Sequence, residues 1–213
     1  MESRDWRKSL SLRSAINIIR KDWFEQKKLI LLGTAGMFVP LMFAGNRTDF
    51  AKGMMAGILV GASYSYSHFC FFVERQSGTL QLLLGLPVRP VDVVLSKYLS
   101  LYSMALFTAN IPGIFLRDLR ALFLVNALIV FLSSACMACT VVSAKPWAPM
   151  LPFWFALVFL MPIQNLLTKF YPNGLGLYSF VTSHIMWVAL GAFISGPMIA
   201  FLSALHFARK CTV

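Results

Sequence analysis

The sequence predicts an all-α polytopic integral membrane protein: six transmembrane helices preceded by an N-terminal amphipathic interfacial helix. Three observations carry this. Of 213 residues, 58% are hydrophobic and only 13% charged, with mean hydropathy +0.72, where a soluble domain carries about 25% charged residues. Apolar runs recur along the whole chain, each near the roughly 20 residues a helix needs to cross the hydrocarbon core. The charges gather at the ends of those runs.

Residues 1–28 are too charged to span. Within them Leu12, Ile16, Ile19 and Trp23 fall at steps of three or four, while Arg13, Asn17, Arg20, Lys21 and Lys28 cover much of the remainder. This predicts a cytoplasmic helix lying in the membrane interface, with Trp6, Leu12, Ile16, Ile19 and Trp23 turned towards lipid. An amphipathic helix packed on a partner protein has the same pattern. Residues 29–213 form the six-helix transmembrane domain, with spans at 29–45, 53–73, 98–116, 121–143, 149–167 and 184–208. Residues 175–183 are too apolar for a plain loop and suit a short external or re-entrant helix.

Orientation follows from Lys and Arg. With the N-terminus inside, only Arg47, Lys52, Arg117, Arg120 and Lys169 of the 19 Lys and Arg fall outside. This positive-inside asymmetry predicts a multi-pass protein of the cell (plasma) membrane with both termini cytoplasmic. The same clustering explains the net charge of +11 without nucleic acid, for which a basic stripe interleaved with aromatics is missing. The polar, basic first residues are the wrong shape for a cleavable signal peptide.

Orientation also places 74–97 in the cytoplasm. Gly78 breaks the preceding helix, Thr79 can cap a new one, and Gly85 and Pro87 stop it, leaving a short leucine-rich helix. Pro90 suits the first turn of the next helix, and Asp92 its positive end. A short helix with exposed leucines calls for a partner; folding those leucines back onto the chain's own membrane face is the competing reading.

The run from Glu74 to Val88 follows E-x-x-x-G-T-L-x-x-L-x-x-x-P-V, with Lys97 at the next span. Glu74, Gly78, Thr79, Leu80, Leu83, Pro87, Val88 and Lys97 resemble residue by residue the permease subunits of type-2 ABC transporters (ABC-2 type, type V), in their small six-helix bacterial form. The layout is also similar over the whole chain: interfacial helix, six spans, motif between spans two and three. The resemblance implies an exporter permease that pairs with a second copy or a paralogue and rests on a cytoplasmic ABC ATPase. Glu74, Gly78, Thr79, Leu80, Leu82, Leu83, Pro87 and Val88 would form the ATPase contact. The ATP and Mg would belong to that partner, since the chain has no G-x-x-x-x-G-K-[ST] phosphate loop and needs no cofactor of its own. The short loop between spans five and six leaves no room for a large external domain. This lean layout is similar to permeases that export drugs or antimicrobial peptides.

Catalytic and ion-coupled classes fit poorly. The spans carry no Asp, Glu, Lys or Arg away from their ends, where an ion-coupled pump needs ionisable groups near the midplane. No Ser-His-Asp or metal spacing stands out. The C-x-x-C of Cys136 and Cys139 reads as small packing residues within a span. His68, Asn110, Asn126, Gln164, Asn165, His184 and His206 read first as helix–helix or interfacial polar groups. Asn110, just before Ile111-Pro112-Gly113, is the candidate pathway residue. The G-x-x-x-G pairs of Gly53, Gly57 and Gly61 predict a tightly packed second span, and Pro149, Pro152 and Pro162 a bent fifth.

Overall fold

The computed structural model describes residues 12–42, 48–85, 89–113, 119–143, 145, 147–152, 154 and 184–211. Every regular element among them is helical. In chain order these are α1 (Leu12–Met42), α2 (Thr48–Ser67) and a π-helical turn (His68–Val73). A turn of helix (Glu74–Gln76) and the short α3 (Thr79–Gly85) follow. Then come α4 (Pro90–Gly113), α5 (Leu119–Val142), a 3₁₀ turn (Ala148–Met150) and α6 (Ile185–Cys211). The predicted fifth span and the 175–183 segment lie almost wholly outside the described residues.

α1 is one continuous helix of 31 residues, about 46 Å long at the usual rise. The predicted boundary at residue 28 is therefore not a break: the cationic segment and the first apolar run share one axis. α5 over Leu122–Val142 and α6 over Met186–Lys210 are long and apolar enough to cross a membrane. α1, α2 and α4 each carry charged residues beside their apolar runs.

α4 sits at the centre. Tyr98 Oη and Ser203 Oγ of α6 lie 2.6 Å apart, Tyr102 Oη and Ser134 Oγ of α5 2.5 Å, and Thr108 Oγ1 and Tyr66 Oη of α2 2.8 Å. Its buried face runs through Val93, Val94, Leu101, Met104, Ala105 and Ala109. Small polar residues are prominent inside the bundle. Ser63, Ser67, Ser96, Ser100, Thr108, Ser133, Ser134 and Thr140 are all buried. Large apolar side chains face out, notably Trp187, Leu190, Phe193, Ile194, Met198, Phe201 and Leu202 along one face of α6.

Among the described residues, close approach occurs at two glycines outside the predicted pairs. A Cβ on Gly196 would meet the Val130 side chain at 3.0 Å and the Phe131 backbone at 3.3 Å, so α6 lies almost against the α5 backbone. A Cβ on Gly33 of α1 would meet the Tyr66 hydroxyl at 3.0 Å. Among the described residues nothing lies within 4 Å of a Cβ on Gly57 or Gly61, and the described buried side of α2 bears Leu59, Ser63, Tyr66 and Ser67.

Candidate functional site

The segment after the π-helical turn is built as the sequence expects over its middle part. Gly78 takes φ +77°, a left-handed conformation that costs other L-residues roughly 1–2 kcal/mol. It separates the Glu74–Gln76 turn from α3. α3 ends at Gly85, and α4 starts at Pro90 with Asp92 in its first turn. Thr79 Oγ1 meets Ser77 Oγ at 2.9 Å, and no capping bond from it to a helix N–H is found among the described residues. Pro87 and Val88 lie outside the described residues.

The leucines divide. Leu80 is buried, and Leu83 and Leu84 pack on the core cluster around Val93, Val94 and Tyr98. Leu82 alone stands out, 76% exposed, beside exposed Gln81. Most of the leucine face thus folds back onto the chain, and a single apolar side chain is presented.

Beneath α3 is a buried charge cluster. The Lys97 ammonium, wholly shielded from solvent, donates to Asp22 Oδ1 at 2.6 Å and to Glu74 Oε1 at 2.7 Å. Lys21 Nζ donates to the same Glu74 oxygen at 2.8 Å and lies 3.6 Å from Glu25. Gln26 Nε2 reaches Cys70 Sγ at 3.0 Å in the π-helical turn. One lysine thereby ties together α1, the Glu74–Gln76 turn and α4. The charges that the sequence places at span ends are here desolvated, and that is affordable only because each is paired.

The electrostatics match this geometry. Burial pushes the Lys97 ammonium towards deprotonation, but the carboxylates of Asp22 and Glu74 outweigh burial and hold it above the ordinary lysine value. Burial raises the Asp22 carboxyl, and the Lys97 charge offsets only part of that rise. Oxygen atoms of Asp22, Glu25 and Glu74 lie within 4.8 Å of one another, a spacing that would suit a cation. The ammonium groups of Lys97 and Lys21 already supply the positive charge there.

The predicted interfacial residues are differently disposed. Ile16 is 53% exposed, but Trp23 turns to α4: its Nε1 donates to Ser103 Oγ at 2.7 Å and its ring meets Phe107 edge-on at 5.1 Å. Ile19 is half-buried. Trp6 and the Leu12 side chain lie outside the described residues. The face of α1 that enters the bundle runs Asp22, Gln26, Ile30, Met37, at helical spacing but beginning with polar groups. An acidic residue set among so many cations was the available signal for it.

Asn110 belongs to a different place. Its side chain donates to Leu106 O and accepts from Asn126 Nδ2, both at 2.8 Å, so it bridges α4 and α5. The structure does not bring it near the charge cluster's residues by any hydrogen bond among the described residues. Cys136 and Cys139 are free thiols on α5, Cys136 fully buried. Comparison with protein-family models, with curated proteins and with solved structures returned no match.

Proposed function

We propose that this chain is the transmembrane permease subunit of an ATP-driven exporter, coupled through residues 74–88 to a separate cytoplasmic ATPase. In this reading six helices cross the plasma membrane with both termini in the cytoplasm, and two such subunits, identical or paralogous, enclose the pathway. The cargo class is a drug, an antimicrobial peptide or another amphipathic molecule.

The inverted distribution of side chains supports the membrane part. A bundle with serines and threonines inside and Trp, Phe and Leu outside suits lipid, where helices associate through small residues and polar contacts. It suits water poorly, since so much exposed apolar surface would aggregate.

The observation that carries the coupling part is the tie at Lys97. A force on α3 has a short path to Glu74, and Glu74 shares its oxygen with Lys97 and Lys21. Moving the coupling segment must drag α1 and α4 with it or separate buried charges. Leu82 is the side chain left free to take that force. A membrane anchoring protein that transports nothing would have no use for a displaceable element so firmly tied to two helices.

The test is co-purification of the chain with its cognate ATPase and measurement of hydrolysis in vesicles. Leu82→Glu is expected to leave the chain folded while lowering permease-stimulated hydrolysis at least several-fold. Leu83 is a poorer probe, because it packs on the core. Full stimulation by Leu82→Glu would remove the docking role, and absence of any ATPase partner would favour the anchoring alternative.

A further inference from the structure

We infer that the outer face of α1 is a binding site for one anionic glycerophospholipid, its phosphate held by Arg20 and Lys27. This rests on the proposal that α1 runs from the cytoplasm into the bilayer.

A shallow open depression on α1 is lined by Asn17, Arg20, Lys21, Trp23, Phe24 and Lys27. Its chemistry is mixed in a particular order along the helix. Arg13, Asn17 and Arg20 are exposed at the N-terminal end, Phe24 and Lys27 follow, and Leu31 and Leu32, 68% and 70% exposed, come one turn later. Bare apolar surface at Leu31 therefore begins about one turn, or roughly 6 Å, beyond Lys27 and about three turns, or roughly 16 Å, beyond Arg20. That is the scale on which a phospholipid passes from phosphate to acyl chain.

The cations differ in their availability. Lys21 is engaged by Glu74 and Glu25. Arg20 has no carboxylate partner among the described residues. Lys27 leans back over the Phe24 ring, with Nζ 4.1 Å from its centroid, which brings its charge towards Arg20. Trp23 is fixed by its bond to Ser103, so the floor of the depression is rigid. A soluble phosphate would use the charges and leave Phe24, Leu31 and Leu32 in water. A lipid uses both, and so charge and apolar complementarity together select it.

The test uses the full chain in neutral detergent, offered phosphatidylglycerol and phosphatidylcholine of equal chain length, with retained lipid counted by native mass spectrometry. Wild type is expected to prefer phosphatidylglycerol. Arg20→Gln/Lys27→Gln is expected to lower its retention about tenfold and leave phosphatidylcholine unchanged, while Arg20→Lys/Lys27→Arg keeps the preference. The site is overturned by any of three results: unchanged retention in the Gln pair; an equal loss in a Lys145→Gln/Lys210→Gln control, which would mean general surface charge; or displacement of the lipid by an equal concentration of glycerol phosphate, which would mean a soluble-anion site. Failure of wild type to enter phosphatidylcholine vesicles at all would sink the membrane reading itself, a separate outcome.

Discussion

The α5–α6 crossing and the junction of α1 with α4 solve the same packing problem with opposite chemistry. At the first, Ala127, Ala189 and Ala192 are buried together and Gly196 lets the helix backbones nearly touch. The contact is one of shape, and it is local to two helices. At the second, Lys97, Asp22 and Glu74 meet from three segments far apart in sequence, with Trp23–Ser103 beside them. That contact is one of charge, with Lys97 shared between both carboxylates. A crossing held by shape makes a scaffold. One held by a shared lysine makes a joint, because displacement of any member is felt by the other two.

The comparison can be broken most forcefully at Lys97. Lys97→Met leaves the Asp22 carboxylate buried without its cation and Glu74 with Lys21 alone, and is expected to cost about 3–5 kcal/mol, read as a large fall in thermal unfolding temperature in detergent. Neutralising all three groups together (Asp22→Asn, Glu74→Gln, Lys97→Met) should recover much of that loss. A small effect of Lys97→Met alone would mean the cluster is hydrated and no joint. Gly196→Val attacks the other crossing: its side chain must push against the Phe131 backbone, at an expected cost of about 1–3 kcal/mol. The two losses should add when combined, since the crossings share no partner. Leu82→Glu, on an exposed side chain, should change stability by less than about 0.5 kcal/mol while impairing coupling, which separates the joint's surface from its core.

The two regions also differed in how far they could be read from sequence. α5 and α6 announce themselves by long uncharged apolar runs. α3 was legible because its stops are chemical: a glycine that takes φ +77° at Gly78, a terminal Gly85, and Pro90 opening α4. The joint was half legible. Glu74 and Lys97 stood out through a motif, but Asp22 did not, since an amphipathic reading of α1 looks for its apolar side and the bundle takes the side bearing Asp22 and Gln26. The π-helical turn at His68–Val73 was not read from the sequence at all. Nor could sequence tell which leucines of α3 fold inward; that depends on where Val93, Val94 and Tyr98 sit. Gly57 and Gly61 show the same limit: a small-residue pair tells that something can come close, not what does, and no described residue does so there.

The most direct measurement is on Leu82 itself. If the proposed ATPase partner exists, Leu82→Cys in cells carrying both chains is expected to crosslink to it and to resist a membrane-impermeant thiol reagent added outside, with the native cysteines Cys70, Cys136, Cys139 and Cys211 replaced beforehand. Labelling of Cys at position 82 from the outer side, or no crosslink with the ATPase present, would contradict the account.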